Sequence, residues 1–119
     1  MKGRIFLVEW DASTARTLVS AIRAAGWDVE VESEDGGRAY TRVNEAPPDL
    51  LLIDISNKPS HGLRIAESLY QRNETRSIPI AFLGGMPSVR DKVRVSIPDA
   101  MFASLMELDG LLSRFSKSD

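Results

Sequence analysis

The chain has 119 residues, 43% hydrophobic and 27% charged, with a formal net charge of −2, one histidine and no cysteine. That length supports one globular domain with a real core and excludes two ordinary ones. The lack of thiols excludes a disulfide scaffold and thiolate metal sites and fits a reducing, cytoplasmic compartment. The acidic balance argues against direct nucleic-acid binding, and no apolar run approaches the ~18 residues of a membrane span.

Ile5-Phe6-Leu7-Val8 is an apolar run too short for a helix and reads as a strand buried on both faces. Leu18, Ile22 and Ala25 then share one helical face, closed by Gly26 where a left-handed cap is expected. Val29-Glu30-Val31-Glu32 alternates, as a half-exposed edge strand does. Ala39, Val43 and Ala46 form a second helical stripe, ended by Pro47-Pro48. Leu50-Leu51-Leu52-Ile53 repeats the buried-strand pattern, and Leu63, Ala66, Leu69 and Tyr70 mark a third helix. Ile80-Ala81-Phe82-Leu83 is a further buried strand, and Val89 and Val93 mark a short fourth helix. Ala100-Met101-Phe102-Ala103 is a weaker fifth strand, and Leu105, Leu108, Leu112 and Phe115 mark the last helix.

Five strand–helix alternations predict a parallel α/β sheet with helices on both faces. With the alternating strand at an edge, the order 2-1-3-4-5 of a flavodoxin-like (βα)5 doubly wound fold fits best. One domain is expected over 1–119, with a core over about 3–115 and a tail at 116–119. In this order a site lies beyond the carboxyl ends of the first and third strands. Glu9-Trp10-Asp11 and Asp54 fall there.

Several stretches, in this order, resemble the receiver domain of two-component response regulators (CheY-like). Ile5-Phe6-Leu7-Val8-Glu9-Trp10-Asp11 is similar to the family's first strand and its acidic pair. Asp35-Gly36-Gly37-Arg38-Ala39 resembles the turn opening its second helix. Pro48-Asp49-Leu50-Leu51-Leu52-Ile53-Asp54-Ile55 resembles its third strand, which ends in the phosphoacceptor aspartate. Gly62-Leu63 matches the start of its third helix, and Ile78-Pro79-Ile80 the approach to its fourth strand. The resemblance covers nearly the whole chain.

It implies a phosphoryl switch. A receiver holds Mg²⁺ through two acids after the first strand, the phosphoacceptor aspartate and a nearby backbone carbonyl. A histidine kinase supplies the phosphoryl group; a Ser or Thr after the fourth strand and a Lys after the fifth then hold its oxygens. Such transfer needs charge neutralisation and positioning. Carried onto this chain, the metal candidates are Glu9, Asp11, Asp54 and the Ser56 position, a weak or absent Mg²⁺ site.

The resemblance breaks at the helper groups. Trp10 stands where the second acid belongs and offers no oxygen ligand. Gly84 falls at the hydroxyl position and Ser104 at the lysine position. A neutral alcohol there replaces a cation whose charge-assisted hydrogen bonds are worth roughly 1.5–3 kcal/mol each. Leu105 replaces the family's proline, and Met101 takes the aromatic switch position.

The expected protein is a degenerate receiver. It is read as a phosphorylation-independent interaction module of bacterial signalling, without enzymatic activity and with no cofactor beyond weakly held Mg²⁺. Its docking face is formed by the fourth helix, fifth strand and last helix, with Arg90, Lys92, Arg94, Met101 and Met106 as candidates. Expected partners are signalling proteins, a histidine kinase or scaffold among them, or a second copy in a weak homodimer; nucleic acid and membrane insertion are not expected. The alternative is an atypical but active receiver phosphorylated on Asp54, with Lys58 partly offsetting the missing cation. A flavin or nucleotide domain is a third class, disfavoured because no glycine-rich phosphate cradle is present.

Individual residues also carry plainer readings. Glu9 is a carboxylate near helix N-termini or a residual ligand, and Asp11 is an N-cap. Trp10 is a plug folded over the acidic cleft or an exposed anchor for a partner. His61 is a solvated loop histidine, and Gly84-Gly85 a flexible turn.

Overall fold

A computed structural model describes residues 2–116. β1 (Arg4–Val8), β2 (Asp28–Glu32), β3 (Leu50–Asp54), β4 (Ile80–Leu83) and β5 (Met101–Ala103) form one parallel sheet in the order β2-β1-β3-β4-β5. Between them run α1 (Ala12–Ala24), α2 (Gly36–Glu45), α3 (Pro59–Tyr70) and α4 (Pro87–Ser96), and α5 (Leu108–Ser113) follows β5. The predicted flavodoxin-like topology is the one observed. Of tail positions 116–119, residues 117–119 lie outside the described residues.

The sheet divides the core in two because successive side chains of a strand point to opposite faces. Phe6, Val8, Leu51, Ile53 and Phe82 meet residues of α2, α3 and α4 on one side. Ile5, Leu7, Leu50, Leu52 and Leu83 meet α1 and α5 on the other. This two-sided burial is why the three inner strands are apolar without alternation.

Local chemistry sets the helix limits. Asp11 and Asp35 cap α1 and α2 by accepting from the backbone N–H groups of Thr14 (2.8 Å) and Arg38 (3.1 Å). α1 ends as predicted: Gly26 is left-handed at φ +95°, with Gly26 N donating to Arg23 O and Trp27 N to Ile22 O. α3 presses against the β3 side of the sheet at Gly62, where a Cβ would stand 2.7 Å from Ile53 Cγ2.

Several expectations need correction. Leu105 is not in the last helix; it opens a 3-10 turn (Leu105–Glu107) and is 62% exposed. Ser104 and Glu107 close that turn as a capping box, so the chain turns before α5 begins. Phe115 lies beyond α5, which ends at Ser113, and packs half-buried on the α1–α5 side. Ala46 is the exposed C-cap of α2, and the buried stripe of α3 is Gly62, Ile65, Ala66 and Leu69, with Leu63 and Tyr70 half-buried at its margins. Trp27, which carries no periodic signal, is a core residue. Glu32 at the end of the edge strand is buried, contrary to the alternation. Its Oε2 accepts from Glu34 N and Asp35 N (both 3.0 Å), and its Oε1 faces Arg38 (3.4 Å) and Arg42 (3.8 Å). Among the described residues no helix is long and apolar enough to cross a membrane.

Candidate functional site at the tips of β1 and β3

Parallel pairing of Val8 with Ile53 brings the next residues, Glu9 and Asp54, to adjoining strand tips. Both are buried, Glu9 completely and Asp54 with 7% exposure. Asp54 Oδ1 accepts from Ser56 N at 2.8 Å. Glu9 Oε2 accepts from Asp11 N at 3.2 Å, while Glu9 Oε1 receives no donor among the described residues. Burial, then the hydrogen bond shared with Asp54, pushes the Glu9 carboxyl up to about 8; the Asp11 N–H opposes this shift. At neutral pH Glu9 is therefore mainly a neutral acid. Two adjoining carboxyls here carry less than two negative charges.

The neighbouring positions do not complete a metal cluster. Asp11 Oδ2 is taken by Thr14 N (2.8 Å) and Thr14 Oγ1 (2.7 Å), and these bonds hold its carboxyl below the ordinary range. It is the N-cap of α1. No group of three His, Cys, Asp or Glu side chains suited to a metal occurs among the described residues. Trp10 is half-buried on the α2–α3 side, its ring edge-on to His61 at 5.8 Å and its buried Nε1 without an acceptor among the described residues.

The helper positions are also occupied differently. Gly84 is left-handed at φ +72°, and a Cβ built on it would overlap Ser56 Oγ and stand 3.6 Å from Asp54 Oδ1. A hydroxyl thus lies close to Asp54, contributed by the loop after β3 rather than by the residue after β4. In the sequence the only trace of this hydroxyl is a serine two residues past Asp54 together with a glycine at 84. Ser104 donates its N–H to Glu107 Oε1 at 2.8 Å within the Ser104–Glu107 capping box. Lys58 caps α3 in a left-handed conformation (φ 47°) with its side chain exposed.

On the expected docking face, Lys92, Arg94 and Met106 are exposed, but Arg90 and Met101 are half-buried. Arg90 Nε donates to Gly84 O (2.9 Å), and its guanidinium lies over Phe102 at 5.3 Å. Arg94 covers the same ring at 4.6 Å. Met101 packs toward α1 and α5, so the aromatic on β5 is Phe102, stacked on Phe82 with centroids 5.8 Å apart.

A 2-1-3-4-5 sheet with an aspartate at the tip of β3 defines a CheY-like architecture. Chemotaxis protein CheY4 of Vibrio cholerae superposes with a TM-score of 0.80 at 16% identity, covering 97% of this chain and 99% of that one. The receiver domain of sensor histidine kinase PA1611 from Pseudomonas aeruginosa, solved with magnesium in its active-site cleft, superposes at 0.77 with 19% identity, over 97% and 98% of the two chains. No family model matches the sequence. The phosphate regulon transcriptional regulatory protein PhoB of Escherichia coli is 32% identical over 94 residues, 79% of this chain and 41% of that protein. DNA-binding response regulator MtrA of Mycobacterium tuberculosis is 33% identical over 93 residues, 78% and 39% of the two. The chain spans about two fifths of the length of these curated relatives. In sequence it is similar to the response regulators PhoB and MtrA, and its fold is that of CheY-like receiver domains.

Proposed function

We propose that this receiver works by protein contact and not through an aspartyl phosphate. The observation that carries this reading is the set of side chains around the buried Glu9 and Asp54: an indole at Trp10, no side chain at Gly84 and a neutral alcohol at Ser104. Trp10 adds no oxygen, and Asp11 Oδ2 is held by the cap of α1. With so few ligands, Mg²⁺ is held weakly or not at all. A phosphoryl group on Asp54 would lack a lysine partner at the family's position, a loss no neutral hydroxyl makes good. The domain itself is then no phosphotransfer enzyme, and its partners are signalling proteins reached through exposed Lys92, Arg94 and Met106.

One observation favours a second reading. Ser56 Oγ lies close to Asp54, in the space a residue-84 side chain would enter, so a hydroxyl donor survives in relocated form. The protein would then be an atypical phosphoacceptor, Asp54 attacking the phosphorus of a donor such as acetyl phosphate while acetate leaves. Incubation with Mg²⁺ and acetyl phosphate, followed by intact-mass measurement, separates the two. No added phosphoryl group is expected. A gain that Asp54→Asn abolishes and Ser56→Ala reduces establishes the second reading instead.

A further inference from the structure

We propose that the groove between α2 and α3 receives the Leu105–Glu107 turn of a second copy of this chain, joining copies head to tail. The inference rests on the contact-module reading and names its partner. The groove, about 490 Å³, is lined by Trp10, Tyr40, His61, Arg64, Ile65 and Ser68, together with glycines of α2. Its walls offer aromatic and aliphatic surface with Arg64 and His61 exposed at the rim, and no Asp or Glu lines it. Trp10 cannot swing freely, since His61 meets its ring edge and the core of the α2–α3 side lies beneath it. An acidic segment with an apolar tip fits such a surface.

This chain presents that segment itself. Leu105 and Met106 are 62% and 96% exposed, side by side on one turn. The Ser104–Glu107 capping box holds the turn in shape, which lowers the ordering cost of docking. Glu107 and Asp109 flank the tip; the Ser104 N–H keeps the Glu107 carboxyl below its ordinary range, hence ionised at neutral pH. An unbranched methionine adapts to an irregular aromatic groove. The turn cannot fill the groove of its own chain. It follows β5 at one sheet edge, whereas Trp10 follows β1, three strands away, roughly 14 Å or more. Turn and groove are different surfaces, so the contact is heterologous and extends copy upon copy.

The test is sedimentation equilibrium of the untagged protein without phosphodonor, from tens of micromolar to about 1 mM, where contacts this small act. The average mass is expected to climb with concentration. Met106→Asp and Arg64→Glu, both exposed positions, should each weaken association at least about tenfold. Mixed together, they should form a one-to-one pair and nothing larger, because one retains the groove and the other the turn. A wild type that stays monomeric, association untouched by either variant, or failure of the mixture to pair overturns the proposal. Phosphorylation of Asp54 would defeat the silent-switch reading and leave this result unchanged.

Discussion

Glu9→Gln should make the folded protein more stable at pH 8 and flatten its dependence on pH. In the unfolded chain Glu9 titrates near 4.5, in the folded chain at about 8. Between those values the native state keeps a proton that the unfolded state has released, so stability falls as pH rises, by up to about 1.4 kcal/mol per unit. Below about 4.5 both states are protonated and the penalty is absent. Above 8 both are ionised and the penalty is complete. Glutamine is the neutral counterpart of the protonated acid: its amide oxygen accepts from Asp11 N, and its NH₂ donates to Asp54. Urea melts of both proteins from pH 5 to 9 check this. The difference should grow across the window, and parallel curves would contradict the shared proton.

Restoring the family's hydroxyl by Gly84→Ser should destabilise the fold by about 1–3 kcal/mol, without creating a switch. A serine at φ +72° meets the backbone strain that glycine avoids, and its Cβ overlaps Ser56 Oγ. Ser56→Ala removes the overlap but not the strain, since Ser56 Cβ stands at an ordinary 3.4 Å from the built Cβ. The double variant should recover about 0.5–1 kcal/mol of the loss, a modest amount because a serine hydroxyl can turn to another rotamer. Ser56→Ala alone should stay within about 0.5 kcal/mol of wild type. Denaturant melts of the four proteins measure the coupling, and strict additivity would remove Ser56 from the space beside residue 84.

Much of this architecture was legible in the sequence because its signals are local. Unbroken apolar runs at Ile5 to Val8, Leu50 to Ile53 and Ile80 to Leu83 have one good solution, a strand covered on both faces. The Pro47-Pro48 pair, Gly26 and the Asp11 cap mark helix ends through backbone chemistry that needs no tertiary context. The misses arose where a side-chain hydrogen bond or ion pair a few residues away decides the outcome. Glu32 is buried because two N–H groups and two arginines from the following turn and helix satisfy it, which overrides the polar half of a strand alternation. Leu105 carries a helical spacing, yet the Ser104–Glu107 box closes a tighter turn first.

The site was legible in position and less so in chemistry. Asp54, Glu9 and Gly84 fall where strand ends must place them, and the Asp11 cap follows from the residues after it. The protonation of Glu9 depends on total burial beside a second carboxyl, a property of the pair that neither residue announces. Likewise the Ser56 hydroxyl occupies the space beside Asp54 that a side chain at position 84 would enter, a placement that shows only once the two loops are brought together. Trp10, read either as a plug or as an anchor, is packed below and open toward the α2–α3 groove.

The most direct examination of a silent switch is an amide proton–nitrogen spectrum recorded with Mg²⁺ and beryllofluoride, a mimic of the aspartyl phosphate. The spectrum should remain that of the free protein, with at most small shifts beside Glu9 and Asp54. A second set of resonances reaching from Asp54 through Gly84 to α4 and β5, abolished by Asp54→Asn, would show that the acid pair still drives the fold's far face.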